Sequence, residues 1–298
     1  MDELNMKRVE RIIRFALKED VWTGDVTSEA VLESSLQADA VITAREHGIV
    51  CGVQVAERTF FTVDPEVRFR PLVKDGDHIE PGREIAFVEG NVRSILRAER
   101  SALNFLGPLS GIATRTREMV EAVKGTKSRI YDTRKTMPLH RYMQKYAVRV
   151  GGGNNHRWGL WDMVLIKDNH LRAYGMQTKS VNNENIIKNI IRRARESVQS
   201  NIRLEIEVES VRECGYALSE KPDVIMLDNM SVEAVKEAVE LRKKMELEEE
   251  IPFEVSGGIT LENISDYART GVDIISSGSL TGSVDSLDFS LEIVLKHG

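Results

Sequence analysis

From about residue 129 onward, short apolar runs rich in β-branched residues alternate with stretches of helical periodicity. The apolar runs are RIYDTR, DMVLIKDNH, RLEIEVES, VIMLDN, FEVSGG and DIISSGS. Strands that alternate with helices form parallel sheets, because each helix returns the chain to the same edge of the sheet. Neither a dinucleotide-binding GxGxxG motif nor a phosphate-loop motif accompanies the repeat, which disfavours a Rossmann or P-loop protein. The pattern therefore predicts an α/β fold with a complete or partial barrel.

Polar residues or glycines end each of these apolar runs. They are Asp132-Thr133-Arg134-Lys135, Lys167-Asp168-Asn169-His170, Glu207, Asp228-Asn229, Ser256-Gly257-Gly258 and Ser277-Gly278-Ser279. In βα barrels the carboxyl ends of the strands form the active-site face. Six strand ends of this kind therefore predict a ligand site at that face.

Cationic side chains lie at two of these strand ends and in the loop GGGNNHRWG between them. They are Arg134 and Lys135 in DTRKT, His156 and Arg157 in GGGNNHRWG, and Lys167 after the run MVLI. A guanidinium group matches a carboxylate or phosphate through two parallel hydrogen bonds, and a lysine adds a compact charge. The alternative is that each cation is an ordinary surface charge, which is least convincing for Lys167 at the end of an apolar run. The cluster predicts a ligand with several negative charges.

Two histidines belong to the same loops. The cationic neighbours of His156 favour its interpretation as a hydrogen-bond donor to a ligand carboxylate over that of a general base. His170 has a weaker claim to a ligand, and we expect it to brace the strand end at Lys167. The three glycines before His156 form either a flexible linker or a loop that closes on the ligand.

Glu207 and Asp228 end two successive strands of the predicted barrel. Carboxylates beside a polyanion fit a site in which they hold Mg²⁺ or accept hydrogen bonds from sugar hydroxyls. They could also stabilise a developing oxocarbenium ion or form an ion pair with a barrel lysine. Glu205 and Glu209 have the same strand parity as Glu207, so the sequence alone does not single out Glu207.

Glycine-containing turns follow the last two strands, at Ser256-Gly257-Gly258 and Ser277-Gly278-Ser279. Successive backbone N–H groups beside glycine bind phosphate, and barrels often hold a phosphate after their last two strands. The alternative is a pair of plain tight turns. Two such motifs in tandem favour phosphate binding.

The first part of the chain has a different pattern. Helical spacing of apolar residues predicts a helix from about residue 5 to 18, and residues 38–87 are mostly strand-like with turns at Asp75-Gly76 and Pro81-Gly82. A long helix follows over about 92–124, with a kink or break expected at Gly107-Pro108.

Composition limits the possible partners. Forty-one basic and 47 acidic side chains give a net charge of −6, so the chain is a poor general binder of nucleic acid or anionic membranes. The first residues carry acidic side chains and form no secretory signal, and no apolar run reaches the ~20 residues that span a bilayer. Two cysteines without metal-binding spacing fit a cytoplasmic protein.

Taken together, these motifs resemble quinolinate phosphoribosyltransferase, the carboxylating nicotinate-nucleotide pyrophosphorylase of NAD biosynthesis. The matching runs follow the family's order over nearly the whole chain: EDVWTGDVTS, ERSALNFLGPLSGIAT, DTRKTMP, KYAVRVGGGNNHRWGL, LIKDNHL, EIEVES, IMLDNM, SGGITLENI and GVDIISSGSLT. The resemblance implies an N-terminal α/β open-faced sandwich over 1–115, rejoined by 282–298. It also implies an incomplete (β/α) barrel of the type II phosphoribosyltransferase kind over 116–281.

The resemblance also implies an activity, a cofactor and a partner chain. The enzyme would join quinolinate to phosphoribosyl pyrophosphate, with release of nicotinate mononucleotide, pyrophosphate and CO₂. A dimer would be the minimal unit, sometimes assembled into hexamers, with Arg100 reaching into the neighbouring subunit's barrel.

Site roles follow from the same resemblance. Quinolinate would be bound by Arg134, His156, Arg157 and Lys167, with Arg100 from the partner chain. Lys135, Glu207 and Asp228 would be the catalytic residues, serving phosphoribosyl pyrophosphate and Mg²⁺, with the two carboxylates binding the ion directly or through water. The remaining substrate contacts would come from Thr136, Ser256, Gly257, Gly258, Ser277, Gly278 and Ser279, the last six holding the 5′-phosphate.

Two positions depart from the family pattern. Leu139 stands where the family usually has glycine after DTRKT, and Gly282 stands where it often has histidine. Two other functions remain open at this point. One is a related phosphoribosyltransferase with another acceptor, such as the paralogue found with molybdate transport genes; the other is a non-catalytic barrel that senses a phosphorylated metabolite.

Overall fold

The computed structural model describes residues 4–294, which form two units with separate sheets. Up to residue 122 the elements are α1 (Met6–Val21), α2 (Val26–Val31), β1 (Gln37–Ala44), β2 (Gly48–Ile49), α3 (Val53–Val63), β3 (Arg68–Pro71), β4 (His78–Ile79), β5 (Glu84–Asn91) and α4 (Val92–Ala122). The later elements are β6 (Arg129–Tyr131), α5 (Arg141–Val150), β7 (Val164–Ile166), α6 (Asp168–Thr178), α7 (Asn183–Ser197), β8 (Leu204–Val208), α8 (Val211–Leu218), β9 (Val224–Asp228), α9 (Val232–Lys244), β10 (Phe253–Ser256), α10 (Ile264–Ala268), β11 (Ile274–Ser276), α11 (Ser279–Gly282) and β12 (Phe289–Val294).

The first unit comprises 4–117, 136–152 and 280–294 of the described residues. Its main sheet has the order β12-β1-β5-β3 with antiparallel pairing throughout, and β2 pairs with β4 separately. One face of the sheet carries a buried apolar cluster that includes Ile42, Phe60, Val88, Ile95 and Leu106. Burial of side chains of this size stabilises the fold by roughly 1.5–3 kcal/mol each. The antiparallel sheet with helices on its apolar face confirms the predicted sandwich.

Helix α3 corrects the sequence analysis, which predicted mostly strand over residues 38–87. Its sequence VQVAERTFFTV is rich in β-branched and aromatic residues, which favour strands. However, Val53, Ala56 and Phe60 are buried at the spacing of one helical face. Packing of that face therefore outweighs the local propensity, and the prediction of strand was wrong for this segment.

Asp75 holds the N-terminus of α3. Its Oδ1 accepts hydrogen bonds from the backbone N–H groups of Gly52 and Val53, both at 3.0 Å. Unpaired N–H groups at a helix start need such acceptors, and a carboxylate there also interacts favourably with the helix dipole. The predicted Asp75-Gly76 turn thus supports a helix that the sequence did not reveal.

Helix α4 runs without a break through Pro108, so the predicted break was wrong, and the alternative, a kink, stays a prediction. Gly107 and Gly111 on this helix contact the chain near residue 286 closely. An added methyl group would lie 2.7 Å from the carbonyl oxygen of Leu287 at the first glycine and 2.0 Å from that of Asp285 at the second. The glycines therefore allow a close approach of backbone to helix.

Helix α5 belongs to the first unit. The backbone N–H of Asn5 donates to the Tyr142 hydroxyl at 2.8 Å, and the Tyr146 hydroxyl donates to Asp75 at 2.9 Å. The structure therefore places residues 136–152 in the first unit. The sequence analysis instead assigned them to the barrel domain, with limits of 116–281, and gave 1–115 and 282–298 to the N-terminal domain. Those limits remain a prediction, and residues 295–298 lie outside the described part of the chain.

The second unit comprises residues 118–135 and 153–279 and contains a six-stranded parallel sheet. Its order is β6-β11-β10-β9-β8-β7, so all six predicted strands are present. Strands β6 and β7 follow each other in the chain but lie at opposite edges, which leaves the sheet open between them. This topology confirms the predicted incomplete barrel.

Candidate active site

A cavity of about 510 Å³ lies at the carboxyl ends of the strands of the second unit. It is lined by Thr133, Arg134, Lys135, His156, Arg157, Leu165, Lys167, Glu207, Met226, Asp228, Asn229, Glu254, Ser256, Gly257, Gly258 and Ser276. Ten of these residues are ones that the sequence analysis assigned to the site. The cavity combines five basic side chains with three carboxylates, as a polyanion with a bound cation requires.

Strand geometry explains which carboxylates line the cavity. Glu205 and Glu207 point to the same face of β8, opposite Val224 and Met226 of β9 in the strand register. Glu207 is two residues nearer the carboxyl end, and it lines the cavity whereas Glu205 lies deeper at 1% exposure. The structure thus distinguishes two glutamates that had equal parity in the sequence.

Lys167 and Glu207 form an ion pair across β7 and β8. Burial raises the pKa of Glu207, and the nearby Asp228 carboxylate raises it further, while Lys167 opposes the shift. The ion pair with a barrel lysine was an alternative in the sequence analysis. It is compatible with ligand binding, since both groups also line the cavity.

Arg134 and Lys135 follow β6 and are positioned by local contacts. The backbone N–H of Lys135 donates to Oγ1 of Thr133 at 3.0 Å. The Lys135 side chain runs along Gly278, where an added methyl group would lie 2.7 Å from its Cδ. Gly278 thus contributes space for the lysine, a role that the sequence analysis did not foresee.

The loop with His156 and Arg157 is anchored by Asp132, which is fully buried. The Asp132 carboxylate accepts hydrogen bonds from the Asn155 side chain at 2.7 Å and from the His156 backbone N–H at 2.8 Å. Arg157 donates from Nη1 to the carbonyl of Met163 at 3.1 Å. Burial and then the neighbouring charge of Arg134 lower the pKa of Arg157. Asp132 therefore fixes the loop that carries two site residues.

His156 meets two buried glutamates that the sequence analysis did not assign to the site. Its Nε2 lies 3.1 Å from Glu205 Oε2 and 3.4 Å from Glu254 Oε2. Each glutamate is only 1% exposed, and Oε1 of each is buried without a hydrogen-bond partner among the described residues. A second cavity of about 300 Å³ shares His156, Arg157 and Glu254 with the first. This His156–Glu205–Glu254 cluster therefore separates two cavities.

The cluster retains protons at neutral pH. Burial opposes the imidazolium, but the adjacent carboxylates outweigh it and raise the pKa of His156 to about 10. Burial and the charge of Glu254 raise the pKa of Glu205 to about 7. Nε2 of His156 lies close to both carboxylates, so the three groups titrate together rather than independently.

Two clusters of side chains in this unit contain atom types that can bind metal ions. Ligand atoms of His156, Glu205 and Glu254 lie within 4.8 Å of one another. There the raised pKa of His156 keeps a hydrogen on Nε2, so this atom has no lone pair for a metal. Glu207 and Asp228 offer oxygen ligands into the substrate cavity, and this donor type fits Mg²⁺ shared with substrate phosphates.

Family models of quinolinate phosphoribosyl transferase match almost the whole chain. The N-terminal domain model matches residues 25–110, and the C-terminal domain model matches residues 112–292. The chain belongs to the quinolinate phosphoribosyltransferase family. The family assignment confirms the resemblance predicted from the sequence motifs.

Named relatives and solved structures agree with the family. A probable nicotinate-nucleotide pyrophosphorylase (carboxylating) from Methanocaldococcus jannaschii is 41% identical over 288 residues, covering 95% of this chain and 96% of the relative. A nicotinate-nucleotide pyrophosphorylase (carboxylating) from Mycobacterium leprae is 40% identical, covering 94% of this chain and 95% of the relative. The crystal structure of NadC from Streptococcus pyogenes is similar, with a TM-score of 0.88, 38% identity and coverage of 99% and 100%.

Five residues predicted for the site of this quinolinate phosphoribosyltransferase do not line the cavity. Arg100 lies on α4 with a side chain that is 64% exposed, and Thr136 accepts a hydrogen bond from Arg141 at 3.0 Å. The others are Ser277, Gly278 and Ser279. Ser277 is buried, and its hydroxyl lies 3.2 Å from the Ile259 carbonyl and 2.7 Å from the Ser279 hydroxyl. Their substrate contacts therefore remain predictions.

The departures from the family pattern have structural counterparts. Leu139 has a φ of 67°, in the left-handed region that favours glycine, and its side chain is exposed. Gly282 ends α11. As predicted, His170 braces the strand end, because its Nδ1 accepts the Lys167 N–H at 2.9 Å.

Proposed function

We propose that this quinolinate phosphoribosyltransferase transfers phosphoribosyl from phosphoribosyl pyrophosphate to quinolinate with decarboxylation, in NAD biosynthesis. The products are nicotinate mononucleotide, pyrophosphate and CO₂. One observation carries the proposal: a single cavity holds both a cationic group suited to a dicarboxylate and the carboxylates and glycine turn suited to a phosphorylated sugar.

The quinolinate half of the cavity is formed by Arg134, His156, Arg157 and Lys167. Arginine binds carboxylates through paired hydrogen bonds, and Lys167 adds charge from the end of β7. The like charges of Arg134 and Arg157 are close enough to lower the pKa of Arg157. A dianionic ligand relieves this repulsion, so the site favours two carboxylates over one.

The phosphoribosyl pyrophosphate half is formed by Lys135, Glu207 and Asp228, together with the turn after β10. Glu207 and Asp228 would hold Mg²⁺, which neutralises the leaving pyrophosphate when it is bound. The turn at Gly257 and Gly258 has φ values of 91° and 62°, in the left-handed region that favours glycine. Such a turn suits the 5′-phosphate.

The reaction requires two bond changes at the pyridine ring. The ring nitrogen attacks the anomeric carbon as its bond to pyrophosphate breaks, and Lys135 stabilises the leaving charge. Arg134, Arg157 and Lys167 hold the ring in line for this attack. The resulting pyridinium accepts the electron pair when the bond from C2 to its carboxylate breaks, and a proton then replaces the lost CO₂.

The assembly and setting are part of the proposal. The active unit would be a homodimer, free or within a hexamer, in which Arg100 of one chain completes the partner's quinolinate site. We infer a cytoplasmic setting with no nucleic-acid or membrane partner, given the acidic composition. Among the described residues, no helix has the length and apolar character to cross a membrane.

An assay of pyrophosphate release with different acceptors tests the proposed function. We expect release that depends on both Mg²⁺ and quinolinate and is negligible with nicotinate, which lacks the 2-carboxylate. Preference for another acceptor would indicate a related phosphoribosyltransferase instead. Binding of phosphoribosyl pyrophosphate without any release would indicate a sensor.

A further inference from the structure

Asn229 directly follows β9 and has an unusual backbone conformation. Its φ of 52° lies in the left-handed region, which Asn tolerates better than most residues with a side chain. Gly257, which directly follows β10, has a φ of 91°. Both residues line the substrate cavity, so the strain lies within the site and calls for a functional explanation.

Asn229 contacts both its neighbour Asp228, at the end of β9, and the turn that follows β10. Its Nδ2 donates to Asp228 Oδ2 at 2.7 Å, and its backbone N–H donates to the Ser256 carbonyl at 2.9 Å. Its Oδ1 lies only 2.2 Å from the position that a methyl group on Gly257 would take. The amide therefore lies flat between the Asp228 carboxylate and the Gly257 backbone.

We propose that Asn229 is a positioning residue that sets the Asp228 carboxylate relative to the turn at Ser256-Gly257-Gly258. This inference rests on the proposed function, in which Asp228 and that turn contact the same molecule of phosphoribosyl pyrophosphate. One end of the substrate carries the pyrophosphate and the other the 5′-phosphate. A residue that fixes both contacts therefore controls how phosphoribosyl pyrophosphate binds. Quinolinate contacts a different set of side chains.

Three properties make Asn specific for this position. It tolerates a positive φ, its amide donates to Asp228, and its flat end fits against a glycine without Cβ. Asp would keep the shape and the backbone conformation but would place a second negative charge beside Asp228. Gly would keep the backbone conformation but lose the donor, and Ala would lose both the donor and the conformational preference.

Steady-state kinetics of Asn229→Gly, Asn229→Asp and Asn229→Ala test the proposal. Loss of the hydrogen bond in Asn229→Gly should raise KM for phosphoribosyl pyrophosphate about tenfold or more and leave KM for quinolinate within about twofold. Asn229→Asp should be impaired more than Asn229→Gly, because it adds repulsion. An equal rise of KM for both substrates, a fall in kcat with both KM values unchanged, or a parallel loss of thermal stability would overturn the proposal.

Rescue by a second substitution provides an independent measurement. Gly257→Ala should impair use of phosphoribosyl pyrophosphate, since its methyl group meets Asn229 Oδ1. In the double variant with Asn229→Gly that steric conflict is absent, while the φ strain at position 257 remains. We therefore expect the double variant to have a higher kcat/KM for this substrate than the product of the single effects gives. Independent effects would overturn the proposal.

The wild-type chain separates this inference from the proposed function. If it releases no pyrophosphate with quinolinate, the proposed function fails, and the inference fails with it. If it is active and the Asn229→Gly variant matches it with phosphoribosyl pyrophosphate, the inference alone fails.

Discussion

Arg134 and Arg157 illustrate how a single pair of side chains limits the possible ligands. Both line one cavity, where burial and then the neighbouring charge of Arg134 lower the pKa of Arg157. We expect Arg134→Ala and Arg157→Ala each to weaken quinolinate binding by roughly 2–5 kcal/mol, because a desolvated charge pair is lost. Calorimetric titration with quinolinate measures this effect.

Arg192→Ala is a matched control for the two arginine variants. Arg192 is 59% exposed and pairs with Glu220 on the surface of the second unit. The Arg192→Ala variant should bind quinolinate as the wild type does, since Arg192 does not line the cavity. Near-normal affinity in both site variants would contradict their assignment.

The His156–Glu205–Glu254 cluster predicts a particular pH dependence of stability. The pKa of His156 rises from 6.5 to about 10 and that of Glu205 from 4.5 to about 7. The folded chain therefore binds more protons than the unfolded chain over this range, and stability falls as pH rises. The Glu205 contribution is lost as pH rises through about 7 and that of His156 through about 10.

Substitution of Glu254 tests this pH dependence. Urea unfolding at pH 5, 7 and 9 should show a fall in the free energy of unfolding that is roughly 1–3 kcal/mol larger in wild type than in Glu254→Gln. Glu262→Gln, at an exposed position, should retain the wild-type slope. Identical slopes in all three proteins would contradict a proton held by the cluster.

At the scale of single residues, the sequence predicted the charged side chains at strand ends well. It predicted the buried side chains that contact them poorly. Arg134 and Lys167 were identifiable because each follows an apolar run, and the parallel sheet brings such ends together, whereas Glu207 shared its strand parity with Glu205 and Glu209. Glu254 gave no signal, since one carboxylate within FEVSGG reads as an outward-facing strand residue. Its role depends on which face of β10 points towards His156. The packing of the neighbouring strands decides this orientation.

At the scale of elements, two helical glycines contrast in their surroundings. On Gly111 of α4 an added methyl group would lie 2.0 Å from the Asp285 carbonyl oxygen, whereas on Gly215 of α8 the nearest atom lies at 3.4 Å. We expect Gly111→Ala to reduce the free energy of unfolding by roughly 1–3 kcal/mol through overpacking. Gly215→Ala, the matched control, should raise it by about 0.5–1 kcal/mol through helix propensity.

Denaturant unfolding of both glycine variants measures the two effects. A stabilised Gly111→Ala variant would contradict close packing of the chain near residue 285 on α4. A strongly destabilised Gly215→Ala variant would contradict the open surroundings of α8.

The barrel elements were predictable from sequence, and the first unit was less so. Short apolar runs separated by helices leave few alternatives to a parallel sheet, and all six strands were found. In the first unit, local propensity and packing disagree at α3, where valine and phenylalanine side chains pack on a helical face. Likewise, Pro108 lies inside α4 although proline usually ends a helix.

At the scale of the whole molecule, we predict that the two chains of a dimer share their active sites. Arg100 is then essential for activity although it does not line the cavity of its own chain. Arg100→Ala and Arg134→Ala chains should each be nearly inactive. Mixed dimers should contain one intact site, so random mixing of equal amounts should restore about a quarter of wild-type activity, since half the dimers are mixed. Activity assays after denaturation and corefolding measure this recovery.

Absence of recovery from mixed chains would contradict a site completed by the partner. A matched control combines Arg134→Ala chains with Arg157→Ala chains. Since both side chains line the cavity of their own chain, every site in this mixture keeps one defect, and we expect no recovery. Recovery in the Arg100 mixture but not in the control supports shared sites, whereas recovery in neither mixture points to Arg100 acting within its own chain.

The central claim is that one cavity couples phosphoribosyl transfer to decarboxylation. The most direct test is the stoichiometry of products from quinolinate labelled in its 2-carboxylate, with phosphoribosyl pyrophosphate and Mg²⁺. We predict equal amounts of labelled CO₂, pyrophosphate and nicotinate mononucleotide. Pyrophosphate release without labelled CO₂, or labelled CO₂ without pyrophosphate, would contradict the account.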